Sequence, residues 1–176
     1  MYPILLSTVL FAKTFQGISL PDQIVLQETT LYLNGMGLRE KYWIDIYVAG
    51  LYLQQPTSNA TQIIKSDIPK RLQLQFIYPN VPKERMLETL KENLERNPDI
   101  SRDTIQKIDS AAVWMEDFTT GDEIIFDYIP KTGTIFTING EQKGVVPGKD
   151  FMEAIFGIYV GSHPASEQLK QGLLGY

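Results

Sequence analysis

Alternating apolar and polar positions predict strands in the first half of the chain. Residues 70–78 (KRLQLQFIY) place leucine and aromatic side chains at every second position, the period of a strand with one buried face. Residues 29–33 predict another strand, and residues 42–54 (YWIDIYVAGLYLQ) predict a long central strand that is apolar on both faces. Because glycine tolerates positive φ, residues 34–37 (NGMG) are expected to form a tight connection between these two strands.

A helical period follows in the middle of the chain. Pro82 suits a helix start, and the apolar residues after it are spaced three or four apart. Ser101 is a suitable N-cap for a second helix. Residues 57–65, 149–158 and 164–172 predict three further helices.

Two strands and a hairpin are expected between these helices. Residues 123–129 and 134–138 read as strands, and Asn139–Gly140 is a strong two-residue turn signal leading to a strand at 143–146. The order of strands, helices, antiparallel strands and helices predicts an α+β fold with one antiparallel sheet and helices on one side. A ligand would lie between the sheet and the helices, where apolar surfaces meet.

Composition and charge exclude several classes of partner and cofactor. The chain has 176 residues, a net charge of −5 and no cysteine. Its basic residues are interleaved with acidic ones on the helix after Pro82, so we expect no nucleic-acid partner. Disulfides and thiolate metal sites are excluded, and no metal or other cofactor is expected. We expect a monomer.

The N-terminus resembles an export signal in part. Residues 3–12 (PILLSTVLFA) form an uncharged apolar run of signal-peptide length, too short to span a bilayer, although no Lys or Arg precedes it. The alternative is a first strand or loop that packs on the core. We therefore divide the chain into residues 1–17, a signal peptide or N-terminal apolar segment, and a domain at 18–176, and we expect a periplasmic or secreted protein. The alternative is a cytoplasmic protein.

Few side chains suggest chemistry. The single histidine, His163, precedes a proline and is interpreted as a surface residue. Asp45 lies within an apolar strand and should be paired or exposed. Arg39 stands out because a guanidinium beside an apolar cleft suits a carboxylate or enolate. The alternative is a surface arginine that pairs with Glu40 or Asp45.

Two blocks of sequence resemble the chalcone isomerase-like family, which includes bacterial relatives of the plant enzymes. Residues 33–53 are similar to the family's Gly-x-Gly-x-Arg turn followed by a strand that ends in Gly-x-Tyr-Leu. Residues 148–175 are similar to the C-terminal helices of its chalcone isomerase-like and fatty-acid-binding branches. The matching positions of the first block are Gly35, Gly37, Arg39, Gly50, Tyr52 and Leu53.

The resemblance implies an open-faced β-sandwich, a large antiparallel sheet with a layer of helices. In the enzymes the arginine stabilises developing negative charge, assisted by Thr, Tyr, Asn and a late Ser or Thr. Arg39 matches that arginine, but the Thr position falls on Tyr47 and no Ser or Thr matches near Lys149. Arg39 and Tyr47 together resemble the Arg–Tyr pair that holds a carboxylate in the fatty-acid-binding branch. They are eight residues apart, and equal parity along an extended chain would put them on one face of a strand.

The leading hypothesis is a non-catalytic binding protein for an apolar, carboxylated small molecule such as a fatty acid. Its ligand-binding residues would be Arg39 and Tyr47, and no catalytic residue is assigned. The first alternative is an intramolecular lyase of the chalcone–flavanone type. The second is an exported protein-interaction domain without a ligand.

Overall fold

A single antiparallel sheet organises the computed structural model, which describes residues 11–97 and 99–176. Within these residues the sheet has seven strands, and their spatial order is the order along the chain. A separate two-stranded hairpin precedes it, made of β1 (Ala12–Phe15) and β2 (Ile18–Pro21). The strands of the sheet are β3 (Gln23–Leu26), β4 (Thr29–Lys41), β5 (Ile44–Leu53), β6 (Lys70–Phe76), β7 (Glu123–Ile129), β8 (Gly133–Ile138) and β9 (Glu141–Val146).

Helices occupy the connections that are not tight turns. The side chain of Ser101 accepts a hydrogen bond from the backbone N–H of Thr104, which agrees with the predicted N-cap. The helix starting at Lys149 is apolar on most of its surface and is buried along most of its length. The helices are α1 (Ala60–Lys65), α2 (Lys83–Glu95), α3 (Arg102–Ala112), α4 (Lys149–Val160) and α5 (Glu167–Leu173).

The two faces of the sheet are covered differently. The larger core joins inward residues of β5 to β8, such as Leu51, Leu74 and Phe126, to apolar residues of the helices. A smaller cluster on the other face packs Leu20 of the β1–β2 hairpin with residues of β4 and β5 such as Val48. The predicted α+β fold, an antiparallel sheet with a layer of helices, is therefore confirmed, and β5 is buried on both faces from Tyr47 onward.

The tight connection predicted at residues 34–37 is wrong. These residues continue β4, and neither Gly35 nor Gly37 has a positive φ. A Cβ atom on Gly37 would lie 2.3 Å from the backbone oxygen of Leu169, and one on Gly35 would lie 2.2 Å from that of Gly172. The glycines thus allow the backbone of α5 to approach β4 closely, which is the other common reason for glycine in a strand.

The turn lies instead within the segment predicted as one long strand. Lys41 pairs with Ile44, so Tyr42 and Trp43 form a two-residue hairpin turn. Both have positive φ, 53° and 62°, as a type I′ turn requires. Strand β5 therefore begins at Ile44, and Arg39 lies in the preceding strand of the hairpin.

The structure describes only part of the N-terminal segment for which a signal peptide was predicted. Residues 1–10, which hold most of the apolar run at 3–12, lie outside the described residues, so export stays a prediction. The proposed boundary after Gly17 falls in the turn between β1 and β2. Within residues 11–97 and 99–176, no helix has the length and apolar character needed to cross a membrane.

Candidate functional site

Arg39 and Tyr47 lie side by side at one end of the β4–β5 hairpin. They are register partners on adjacent antiparallel strands, rather than neighbours along one strand as the parity argument assumed. Arg39 is half-buried, and Tyr47 is only 3% exposed. The structure therefore brings the two residues together, but by cross-strand pairing.

Both residues line a cavity of about 340 Å³ between the hairpin and the start of α2. This volume is at the lower end of the range for small-molecule sites, about 300–1,000 Å³. Its walls combine apolar side chains with three basic groups. The lining residues are Arg39, Lys41, Tyr42, Ile44, Ile46, Tyr47, Tyr78, Asn80, Val81, Pro82, Arg85, Met86 and Thr89.

Arg39 has no ion pair within the described residues. Its guanidinium makes one hydrogen bond there, a long one of 3.4 Å from Nη1 to the backbone oxygen of Glu40. The alternative in which Arg39 pairs with Glu40 or Asp45 is therefore not what the structure has. Those two acidic residues are register partners of each other, and Asp45 is exposed. The guanidinium keeps most of its hydrogen-bonding capacity for another acceptor.

A second, smaller cavity of about 50 Å³ lies further in. It shares Tyr47, Met86 and Thr89 with the larger cavity, so these three residues form the wall between them. The remaining lining is almost wholly apolar and comes mainly from the sheet, α2, α3 and α4. The site therefore runs from a basic outer end to an apolar inner end.

Tyr159 of α4 joins the site at its inner end, and sequence reasoning missed it. Burial raises the pKa of Tyr47 to about 12, while the charge of Arg39 and the neighbouring Tyr159 hydroxyl lower it. The pKa of Tyr159 is also raised well above its usual value, mainly by burial. Both phenols therefore stay protonated at neutral pH and can donate hydrogen bonds. The signal available in the sequence was a hydroxyl-bearing ring within the apolar C-terminal half of helix α4.

The other candidate residues lie elsewhere. His163 is exposed, and its Nδ1 lies 3.1 Å from Oγ of Ser162. Two loop carboxylates bind backbone groups: Asp117 accepts a hydrogen bond from the backbone N–H of Lys83 at the start of α2, and Asp122 accepts one from that of Thr119. In the part of the chain that the structure describes, no cluster of three His, Cys, Asp or Glu residues is placed to hold a metal.

Together these features define an α+β protein of the open-faced sandwich type, with a cavity between the sheet and the helices and an arginine in the cavity wall. The profile of the chalcone isomerase-like family matches residues 12–175, and the chain belongs to that family. No curated protein matches the sequence. Among solved structures, the chain is similar to a fatty-acid binding protein from Arabidopsis thaliana, with a TM-score of 0.74 and 18% identity, covering 93% of this chain and 96% of that one. At this identity the likeness shows the fold.

Proposed function

We propose that the protein is a non-catalytic binding protein for an apolar, carboxylated small molecule, and that a fatty acid is the best-fitting class. The observation that carries the proposal is the guanidinium of Arg39, which has no ion pair within the described residues and lines a cavity with largely apolar walls. A half-buried cation without a partner is costly, and an anionic ligand would provide one.

The head group would be held by Arg39 and Tyr47. A guanidinium offers two parallel N–H donors to a carboxylate, and a phenol offers one more. The two residues are cross-strand partners, so their side chains start from adjacent backbone positions on one face of the sheet. Tyr159 lies beside the pair, close enough that its hydroxyl and that of Tyr47 each shift the pKa of the other.

The tail would lie along the apolar wall of the larger cavity, against residues such as Ile46, Val81 and Met86. Each buried methylene contributes about 0.8 kcal/mol, so tail length should set much of the affinity. The inner cavity is too small to take a long tail without movement of the Met86 side chain, which separates the two spaces. Methionine is suited to such movement because its side chain is flexible. The similar Arabidopsis protein is a fatty-acid binding protein, which is consistent with this ligand class.

Calorimetry with matched acids and alcohols of increasing chain length tests the proposal. Arg39→Ala should weaken the acids by about tenfold or more, because charge-assisted hydrogen bonds contribute about 1.5–3 kcal/mol, and should weaken the alcohols far less. Arg39→Lys should restore only part of the affinity, since an ammonium lacks the planar fork. Arg96→Ala removes an exposed arginine away from the cavity and should change neither series. Unchanged acid affinity in Arg39→Ala would refute the role of Arg39.

The second candidate is an intramolecular lyase of the chalcone–flavanone type, which family membership and the match of Arg39 favour. The raised pKa values of Tyr47 and Tyr159 argue against a phenolate base at this site. A single oriented donor typically contributes about 10²–10³ in rate, so we expect chalcone cyclisation to be absent or very slow. Loss of chalcone absorbance measures it. Saturable turnover that Arg39→Ala abolishes would establish the enzyme instead.

A further inference from the structure

The turn at the tip of the β4–β5 hairpin exposes two large aromatic rings. Trp43 is 91% exposed and Tyr42 is 79% exposed, and Ile44 beside them is 40% exposed. The three residues are consecutive, so they form one apolar projection rather than scattered surface positions. Tyr42 and Ile44 also line the larger cavity, which places the projection at the cavity's outer end.

The backbone of this turn does not call for aromatic residues. Tyr42 and Trp43 both have positive φ, a conformation that side chains with a Cβ reach at a steric cost. In two other hairpins of the protein, glycine occupies one of the two turn positions with positive φ: the turns are Gln16–Gly17 and Asn139–Gly140. The aromatic pair therefore gains little from the turn or from packing, and Trp43 least of all, which points to a contact outside the chain.

The charge around the outer end of the cavity indicates what that contact is. Arg39, Lys41 and Arg85 line the cavity, and no Asp or Glu is among its lining residues. The two acidic residues of the hairpin, Glu40 and Asp45, are register partners of each other and lie outside that lining. The chain as a whole has a net charge of −5, so this basic rim is a local exception. Arg85 is paired with Glu88, whereas Lys41 has no ion pair within the described residues and lies over the ring of Tyr42 at 5.7 Å. Trp and Tyr beside basic residues are the pattern of segments that lie at the interface of an anionic bilayer.

We propose that the β4–β5 hairpin tip docks on an anionic lipid membrane, with Trp43 and Tyr42 entering the headgroup region and Lys41 contacting lipid phosphates. Docking of this tip turns the outer end of the cavity toward the membrane, the phase in which fatty acids are held. The docking itself stands on exposed aromatic rings and charge. Its use for loading or release of the ligand rests on the proposed function.

Sedimentation with vesicles of phosphatidylcholine, with and without phosphatidylglycerol, tests the docking. The protein should bind the anionic vesicles, and added salt should weaken the binding because it screens charge. Trp43→Ser should weaken binding by about tenfold or more, since a buried indole is lost. Lys41→Glu should have an effect of about the same size. The matched controls are Tyr176→Ser, which removes a ring that is 77% exposed, and Lys65→Glu, which alters an exposed lysine.

Tryptophan fluorescence supplies a second measurement that does not depend on affinity. The chain has two tryptophans, and Trp114→Phe leaves Trp43 as the single emitter. Its emission should shift to shorter wavelength on anionic vesicles and become protected from a soluble quencher. Binding to neither vesicle type, equal loss in Trp43→Ser and Tyr176→Ser, or an unshifted Trp43 emission in vesicle-bound protein would each overturn the proposal. Self-association that Trp43→Ser abolishes, without vesicle binding, would also overturn it and assign the tip to a second copy.

The failure of this proposal and that of the proposed function can be distinguished. Trp43 does not line the cavity, so Trp43→Ser should leave the affinity for soluble fatty acids unchanged. Arg39→Ala should lose acid affinity while the protein still sediments with anionic vesicles to a large extent. Vesicle binding without acid binding would uphold the docking tip and refute the ligand. Acid binding without vesicle binding would refute the docking tip and uphold the ligand.

Discussion

Lys70 offers a stability prediction with a definite sign, because it is a fully buried lysine with no carboxylate within ion-pair distance in the described residues. Its Nζ donates to the backbone oxygens of Ile63 at 2.5 Å and Ser66 at 2.8 Å, and lies 3.0 Å from Oγ of Ser66. These acceptors lie at the C-terminal end of α1, where carbonyl groups lack helical partners. The ammonium thus ties α1 to β6.

The cost of burying this charge follows from its pKa. Burial lowers the pKa of Lys70 from 10.5 to about 8, with Lys149 lowering it further and Asp67 raising it. Such a change corresponds to about 3 kcal/mol against the charged form. Between pH 8 and 10.5 the unfolded chain binds the proton while the folded protein has released it. The free energy of unfolding should therefore rise with pH across that window, by up to about 3 kcal/mol from this group.

Urea unfolding of the wild type and Lys70→Met at several pH values from 7 to 10.5 measures this contribution. The difference in unfolding free energy between the two proteins should grow in favour of the wild type as pH rises, because other titrating groups are common to both and cancel. Lys65→Met, which removes an exposed lysine paired with Glu153, is the matched control for loss of a lysine side chain at the surface. A difference between wild type and Lys70→Met that is constant with pH would refute the reasoning.

Three further outcomes are expected. Gly37→Ala should lower the free energy of unfolding by about 2 kcal/mol or more, because the added Cβ would meet the α5 backbone. The control Gly157→Ala, in α4, places its Cβ in open space and should be neutral or slightly stabilising. Equal denaturation midpoints for the two variants would contradict this prediction. Met86→Ala should join the two cavities and move the best-bound fatty acid to a longer chain in a calorimetric series, and an unchanged optimum would contradict it. We also expect export, which N-terminal sequencing of protein from the native host would disprove if cytosolic material carried an intact Met1.

The longer strands and helices could be predicted because each buries one face, which leaves a regular spacing of apolar residues in the sequence. The strand at 123–129 was predicted at its observed bounds, and the turn at Asn139–Gly140 has the expected positive φ values. Strands β1 to β3 were missed, since each has four residues and too few alternations to be distinguished from a loop. The burial of Lys70 was also missed, although it shares the parity of Leu72, Leu74 and Phe76 on β6. No sequence signal indicated the acceptors at the end of α1 that allow a lysine to be buried at this position.

The glycines of β4 show why a local signal can mislead. Positive φ and close approach of another backbone both select glycine, and the sequence around Gly35 and Gly37 does not distinguish them. The deciding partner is α5, about 135 residues further along the chain, where Gly172 meets the backbone of Met36 and Gly37 in return. A contact of that sequence separation has no local signature.

The pairing of Arg39 with Tyr47 depends on one irregularity in the hairpin. From the turn outward, Lys41 is opposite Ile44 and Glu40 is opposite Asp45, so a regular ladder would place Arg39 opposite Ile46. A register shift between Arg39 and Glu40 makes Tyr47 its partner instead. Because neighbouring strand positions alternate between the two faces of a sheet, an unshifted hairpin would turn Tyr47 away from the face of Arg39. The bulge thus brings the guanidinium and the phenol to one face of the sheet. The sequence argument also placed them on one face, but it did so by assuming that both lie on the same strand.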